Sequence, residues 1–91
     1  MPRNGPVHLG VDVGTSGVRA VAVDGTGEVA ALSSAPLPPP LAVDGGLRQD
    51  PELWWAAVTE AVRAVAGSVG AGRVRSLAVD GTSGTLLVTD A

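Results

Sequence analysis

The chain has 91 residues, a formal net charge of −3 and 45% hydrophobic residues, enough for one small domain and too apolar for a disordered tail. The acidic balance excludes the basic stripe of a nucleic-acid binder, and because all six positive charges are arginine a lysine-dependent Walker phosphate loop is excluded too. Cysteine is absent and His8 is the only histidine, which rules out disulfides, thiolate metal sites and a zinc cluster of histidines and cysteines.

The opening "MPRNGPVH" has no signal-peptide core, and no apolar run is long enough to span a bilayer, so the expected location is cytoplasmic with no membrane partner. Val7–Val13 reads "VHLGVDV", with Val7, Leu9, Val11 and Val13 alternating at the period of a strand. Gly14, Thr15, Ser16 and Gly17 form a small-residue turn, and residues 18–24 ("VRAVAVD") read as a second strand. Asp24-Gly25 signals a hairpin into a third strand over 28–33. Residues 34–49 hold four of the seven prolines, which forbids a regular helix and predicts an extended surface connection, a plain linker before a polyproline ligand.

Asp50-Pro51-Glu52 opens a helix with suitable chemistry. Asp50 caps free amides, Pro51 fits the first helical position and Glu52 complements the helix dipole. Trp54, Val58, Ala61, Val62 and Val65 share one face, and Gly67 is the expected end. One of the two tryptophans is expected to pack the helix on the sheet, the other to cover the Pro-rich stretch or approach a cleft; with no other aromatic residue, Val, Ala and Leu must fill the core. His8 is expected at a surface or edge. Residues 74–80 ("VRSLAVD") predict a further strand, a second Gly-Thr-Ser-Gly follows from Gly81, and 85–90 predict a last strand. The expected order is β-β-β-α-β-β, an α/β fold with three antiparallel strands and a crossover helix. Ending at Ala91 with no cap or turn, the sequence is expected to be a truncated piece, leaving one sheet face and one strand edge open and disposed to self-association or to docking on a missing portion.

Asp12 at a strand end, followed by Gly14, Thr15, Ser16 and Gly17, suits an anion. Glycines admit close approach, successive amides can point inward, and two hydroxyls add hydrogen bonds. Asp12 offers a hard oxygen for magnesium, and Arg19 offers positive charge to a phosphate. A Rossmann loop is excluded, since a strand and not a helix follows. The same residues also suit a turn that only reverses the chain, and composition leaves both open.

Three segments in order carry a family resemblance. "GVDVGTSGVRAVAVDGTGEV" is similar to the opening phosphate motif of the FGGY carbohydrate kinases, within the actin–hexokinase–heat-shock ATPase superfamily. "RQDPELWWAAVTEAV" resembles that family's Gln-Asp-Pro-x-x-Trp-Trp helix start, and "RSLAVDGTSGTLLVTDA" resembles its strand–loop–strand at the sugar cleft. The resemblance runs from about Val7 to Ala91. It implies an incomplete N-terminal portion, residues 1–91, of an actin/hexokinase-like (ribonuclease H-like) ATPase domain that uses ATP and Mg2+. It assigns Gly14, Thr15, Ser16, Gly17 and Arg19 to the ATP phosphates, Asp12 to the metal, and Asp80, Gly81, Thr82 and Ser83 to the sugar.

The stretch "DGTSGTLLV" lacks the Gln-Met-His-Gly of many xylulokinase-like members and the Gln-Arg-Glu of glycerol kinases. It looks more like the ribulokinase branch, particularly D-ribulose kinase-like members, and points to a pentulose such as D-ribulose or D-xylulose. The family's general-base Asp and most of its adenine pocket lie later than any residue here, so the 91 residues alone are expected to be inactive. An actin-like or chaperone-like ATPase shares the first motif but not the other two. A non-catalytic truncated remnant is the third reading.

Overall fold

The computed structural model describes residues 5–81. Strands β1 (Val7–Val13), β2 (Gly17–Asp24) and β3 (Val29–Pro36) form an antiparallel meander, and β6 (Val74–Gly81) adds to the free side of β1 in parallel, giving the order β3-β2-β1-β6. Between β3 and β6 come two three-residue strands, β4 (Leu41–Val43) and β5 (Gly46–Arg48), then helix α1 (Pro51–Val69) and a short 3-10 turn, Ala71–Arg73. The α/β architecture expected from the sequence is therefore present through its fifth main element. The strand expected over 85–90 lies outside the described residues.

Period-2 alternation puts Val7, Leu9 and Val11 of β1 and Val18, Ala20 and Ala22 of β2 on one face, all buried. Helix α1 lies on that face through Ala57, Ala61 and Val65, four residues apart and buried, with Trp54, Val58, Val62 and Val69 packed at the margin. Alanine supplies much of both surfaces, which lets helix and sheet approach closely while burying little area per residue. The opposite face carries no covering element among the described residues.

Asp50 caps α1 as its chemistry requires: its carboxylate accepts the Glu52 amide at 2.9 Å, and Pro51 takes the first helical position. Gly67 does not end the helix. It is exposed on the solvent side, and α1 runs on so that Val69 reaches the core; Gly70, at φ 98°, stops it by donating its N–H to Ala66 O.

Three further expectations change. Residues 34–49 are no unbroken connection: β3 continues to Pro36, and β4 and β5 pair as a small hairpin turned by Asp44 (φ 50°) and Gly45 (φ 79°). In the turn after β2 the left-handed residue is Gly27 (φ 86°), not Gly25, because Asp24 bonds onward as far as Glu28. Trp54 both packs on the core and lines the cavity under the Pro-rich stretch, while Trp55 is 70% exposed and does not line that cavity.

Candidate functional site

The loop between β1 and β2 is short, Gly14 to Ser16, closed by Gly14 N–H donating to Gly17 O at 2.9 Å. A strand, not a helix, follows Gly17. Neither Gly14 nor Gly17 has φ in the left-handed region, so glycine is required here for space and not for backbone freedom. A Cβ on Gly14 would lie 3.2 Å from Gly17 O, and one on Gly17 would lie 3.0 Å from Ala35 O of β3. Thr15 and Ser16 are both exposed. Their carbonyls are held from outside the loop, Thr15 O by Gln49 Nε2 at 3.1 Å and Ser16 O by Leu37 N at 3.0 Å.

Asp12 is exposed on the sheet face away from α1, one residue short of the end of β1. In the parallel pairing of β1 with β6 it stands directly beside Asp80, with Val13 beside Gly81. The ends of the two strands thus lie side by side. The Asp12 carboxylate raises the Asp80 pKa above its ordinary value, first by hydrogen bonding to it and then by charge repulsion, with a smaller contribution from desolvation. Two exposed carboxylates side by side repel one another and attract a cation. Arg19 lies in register with Asp12 on one side and Ser34 on the other, exposed beside a shallow depression that also takes in Ser16 and Gly17. It brings positive charge to the loop side of the acid pair.

Below the acids the same face forms an open trough of about 320 Å³, floored by Gly10, Val21 and Ala78. A Cβ on Gly10 would meet the Val21 side chain at 3.3 Å, so glycine keeps the floor low. At its far end His8, which is exposed but lies on a central strand and not an edge, meets Ser76 at 2.6 Å through Nδ1 and Oγ. A more enclosed cavity, about 130 Å³, lies elsewhere, between Leu37, Pro38, Leu41, Leu53 and Trp54. Arg48, Gln49 and Asp50 also border it, but its surface is mostly apolar and neither Asp12 nor Asp80 reaches it, so the open trough is the better seat for a polar ligand.

The structure therefore brings Asp12, Gly14, Thr15, Ser16, Gly17, Arg19, Asp80 and Gly81 to one end of the sheet. Thr82 and Ser83 lie outside the described residues. Sequence reasoning missed Gln49 and Leu37, whose contacts to the loop cross 34 and 21 positions of chain through a segment read as a linker. The Gln-Asp-Pro run was visible, but nothing local ties a glutamine to a distant carbonyl.

Among the described residues no group of three or more potential ligands stands together to hold a metal by protein atoms alone. Asp12 and Asp80 nevertheless fit magnesium. That ion is commonly bound through one or two carboxylates, keeping waters and phosphate oxygens for its other positions. The hard carboxylate oxygens, their exposure and their mutual repulsion suit such a cation.

Residues 7–91 match the model of the N-terminal domain of the FGGY family of carbohydrate kinases. The chain is 35% identical over 79 residues to a xylulose kinase of Klebsiella pneumoniae and 34% identical over 79 residues to one of Escherichia coli K12, each alignment covering 82% of this chain and 16% of the relative. Its fold superposes with a TM-score of 0.72 on a xylulose kinase from Brucella ovis at 26% identity, covering 82% of this chain and 16% of that one. The chain spans about one-sixth of the length of these relatives, as the 16% coverage states. No helix among the described residues is long and apolar enough to cross a membrane.

Proposed function

The chain belongs to the FGGY family of carbohydrate kinases, and from that premise we propose that it forms the phosphate- and substrate-facing end of a site that transfers the ATP γ-phosphoryl group to a hydroxyl of a pentulose, D-xylulose or D-ribulose. The observation that carries the reading is the pairing of Asp12 with Asp80 at the ends of two parallel strands, each followed in sequence by small and hydroxyl residues. Phosphoryl transfer is largely a matter of position and charge, and these are what such an end supplies.

In this reading Asp12 holds magnesium on the ATP phosphates, directly or through water. The Gly14–Gly17 loop approaches the phosphate oxygens closely because its glycines leave room, while Thr15 and Ser16 add donors. Arg19 offsets negative charge from the β2 side. Asp80, Gly81, Thr82 and Ser83 face the sugar. Magnesium, when bound, screens the charge of the transferring group. A pentulose hydroxyl also needs a base to take its proton, and the family resemblance puts that Asp and most of the adenine pocket in later sequence. The 91 residues are accordingly inactive alone, and the setting is the cytoplasm.

The test is a chimera in which this chain replaces the matching stretch of the Escherichia coli xylulose kinase. Phosphorylation of D-xylulose or D-ribulose, followed by coupled ADP release, is the expected result. A folded chimera whose ATP hydrolysis ignores pentuloses, pentitols and glycerol alike would overturn the reading in favour of an actin-like or chaperone-like ATPase. Sugar-dependent turnover by the 91 residues alone would overturn the division of labour.

A further inference from the structure

The loop that follows β1 is closed by one bond of its own, Gly14 N–H to Gly17 O, and its two central carbonyls are held from outside. Thr15 O accepts from Gln49 Nε2 at 3.1 Å and Ser16 O accepts from Leu37 N at 3.0 Å. The two donors flank the segment that carries β4 and β5, Leu37 just before it and Gln49 just after it. A carbonyl oxygen only accepts, so the amide end of the Gln49 side chain must face Thr15. Gln49 is half-buried, which limits how far its amide can swing.

A trans peptide is planar, with its C=O and N–H on opposite sides, and no described peptide is cis. Tying Thr15 O to Gln49 therefore turns the Ser16 N–H to the other side of the loop. That N–H has no acceptor among the described residues. A donor held in one direction and left without a partner is prepared for an incoming acceptor, with the ordering cost already met in the folded chain.

We propose that Gln49 is a positioning residue: it fixes the Thr15–Ser16 peptide so that the Ser16 N–H is presented to a phosphate oxygen of MgATP. The inference rests on the reading of this loop as the phosphate loop. Gln49 itself touches no phosphate. It acts through the peptide that it orients, and it couples the β4–β5 segment to the site.

Nuclear magnetic resonance of the chimera proposed above, labelled with 13C and 15N and titrated with MgATP, separates the two claims. The Thr15 carbonyl carbon and the Ser16 nitrogen belong to one peptide and report the hydrogen bond directly. Gln49→Met and Gln49→Glu both keep the side-chain length and lose the N–H donor; both shift these two resonances and weaken the MgATP response of Ser16 about threefold to tenfold, the worth of one neutral hydrogen bond. Gln49→Lys keeps a donor and recovers most of the response. Ala57 and Ala61 amides that stay in place show that the fold is intact, and where one donor-less variant moves them the other is read. Thr15 and Ser16 resonances indifferent to the loss of the donor overturn the positioning role whatever ATP does. Resonances that respond to the substitutions while the wild-type Ser16 amide ignores MgATP overturn the phosphate reading instead, and the inference with it.

Discussion

The loops after β1 and after β2 are both built from Gly and Thr behind an acidic strand residue, yet their hydrogen bonds run in different directions. After β2, Asp24 Oδ1 accepts from Thr26 N at 2.8 Å, Thr26 Oγ1 at 2.6 Å and Glu28 N at 3.1 Å, while Gly27 N closes on Asp24 O. That turn satisfies itself. After β1, the acid Asp12 lies beside another acid, the loop carbonyls are held by Gln49 and Leu37, and the two hydroxyl residues face solvent. Similar residues make a finished turn in one place and an unfinished one in the other; what distinguishes them is whether the polar groups are consumed locally.

The largest expected difference between the loops is in activity. In the chimera with the Escherichia coli xylulose kinase, Asp12→Asn lowers pentulose phosphorylation by at least ~100-fold, the scale of losing a metal-side carboxylate, while Asp24→Asn changes it less than about twofold. Equal effects on kcat/KM would erase the functional contrast. Next comes stability, read by urea unfolding of the chain. Gly17→Ala costs about 1–3 kcal/mol, because its Cβ would press on the Ala35 carbonyl at 3.0 Å and backbone cannot rotate away. Gly27→Ala meets nothing within 4 Å and costs only about 1 kcal/mol, from its positive φ. If Gly27→Ala proved the more damaging, steric room would not be what glycine supplies after β1.

The smallest effect is on pH dependence, and here the two ends carry opposite signs. The hydrogen bond from the Thr26 side chain, with that from its amide, holds the Asp24 carboxyl below its ordinary value of 3.8. Its contribution is thus full above that value and fades as pH falls through the lowered one. Asp80 is raised above 3.8 by Asp12, so the folded chain binds the extra proton, and stability declines as pH rises through the window between 3.8 and the raised value. Asp80→Asn removes the second slope and leaves the first; chemical denaturation between about pH 3 and 6 reads both. A single slope of the Asp24 sign in the unsubstituted chain would mean that the two strand-end acids do not interact.

Much of this was legible in the sequence where the pattern was long enough to carry a period. Val7 to Val13 alternates over a full strand, and Asp50-Pro51-Glu52 announces α1 with three independent capping features. Strands β4 and β5 are three residues each, too short to show alternation, and the prolines before them drew attention from the Asp44-Gly45 turn. Gly67 misled because the tertiary gain from seating Val69 outweighs glycine's poor helix propensity at an exposed position. At the site, Asp12 and the following loop stood out by residue type. Their partnership with Asp80 depends on the register that sets carboxylate against carboxylate, which is a property of the assembled sheet. Gln49 stood in the visible Gln-Asp-Pro run, but nothing local tied it to the Thr15 carbonyl.

Strand β6 is anchored unlike its neighbours. Val74 is half-buried, and every later residue of the strand is exposed, with Leu77 at 49% and Val79 at 57% although their β1 partners Leu9 and Val11 are buried. Among the described residues, main-chain bonding to β1 is most of what holds its distal half, so that half has the least packing of the ladder to resist thermal fluctuation. Asp80 rides on it, whereas Asp12 is mounted on a strand bonded on both flanks. The gap between the acids is therefore adjustable from one side only, Asp12 standing fixed while Asp80 moves with its strand.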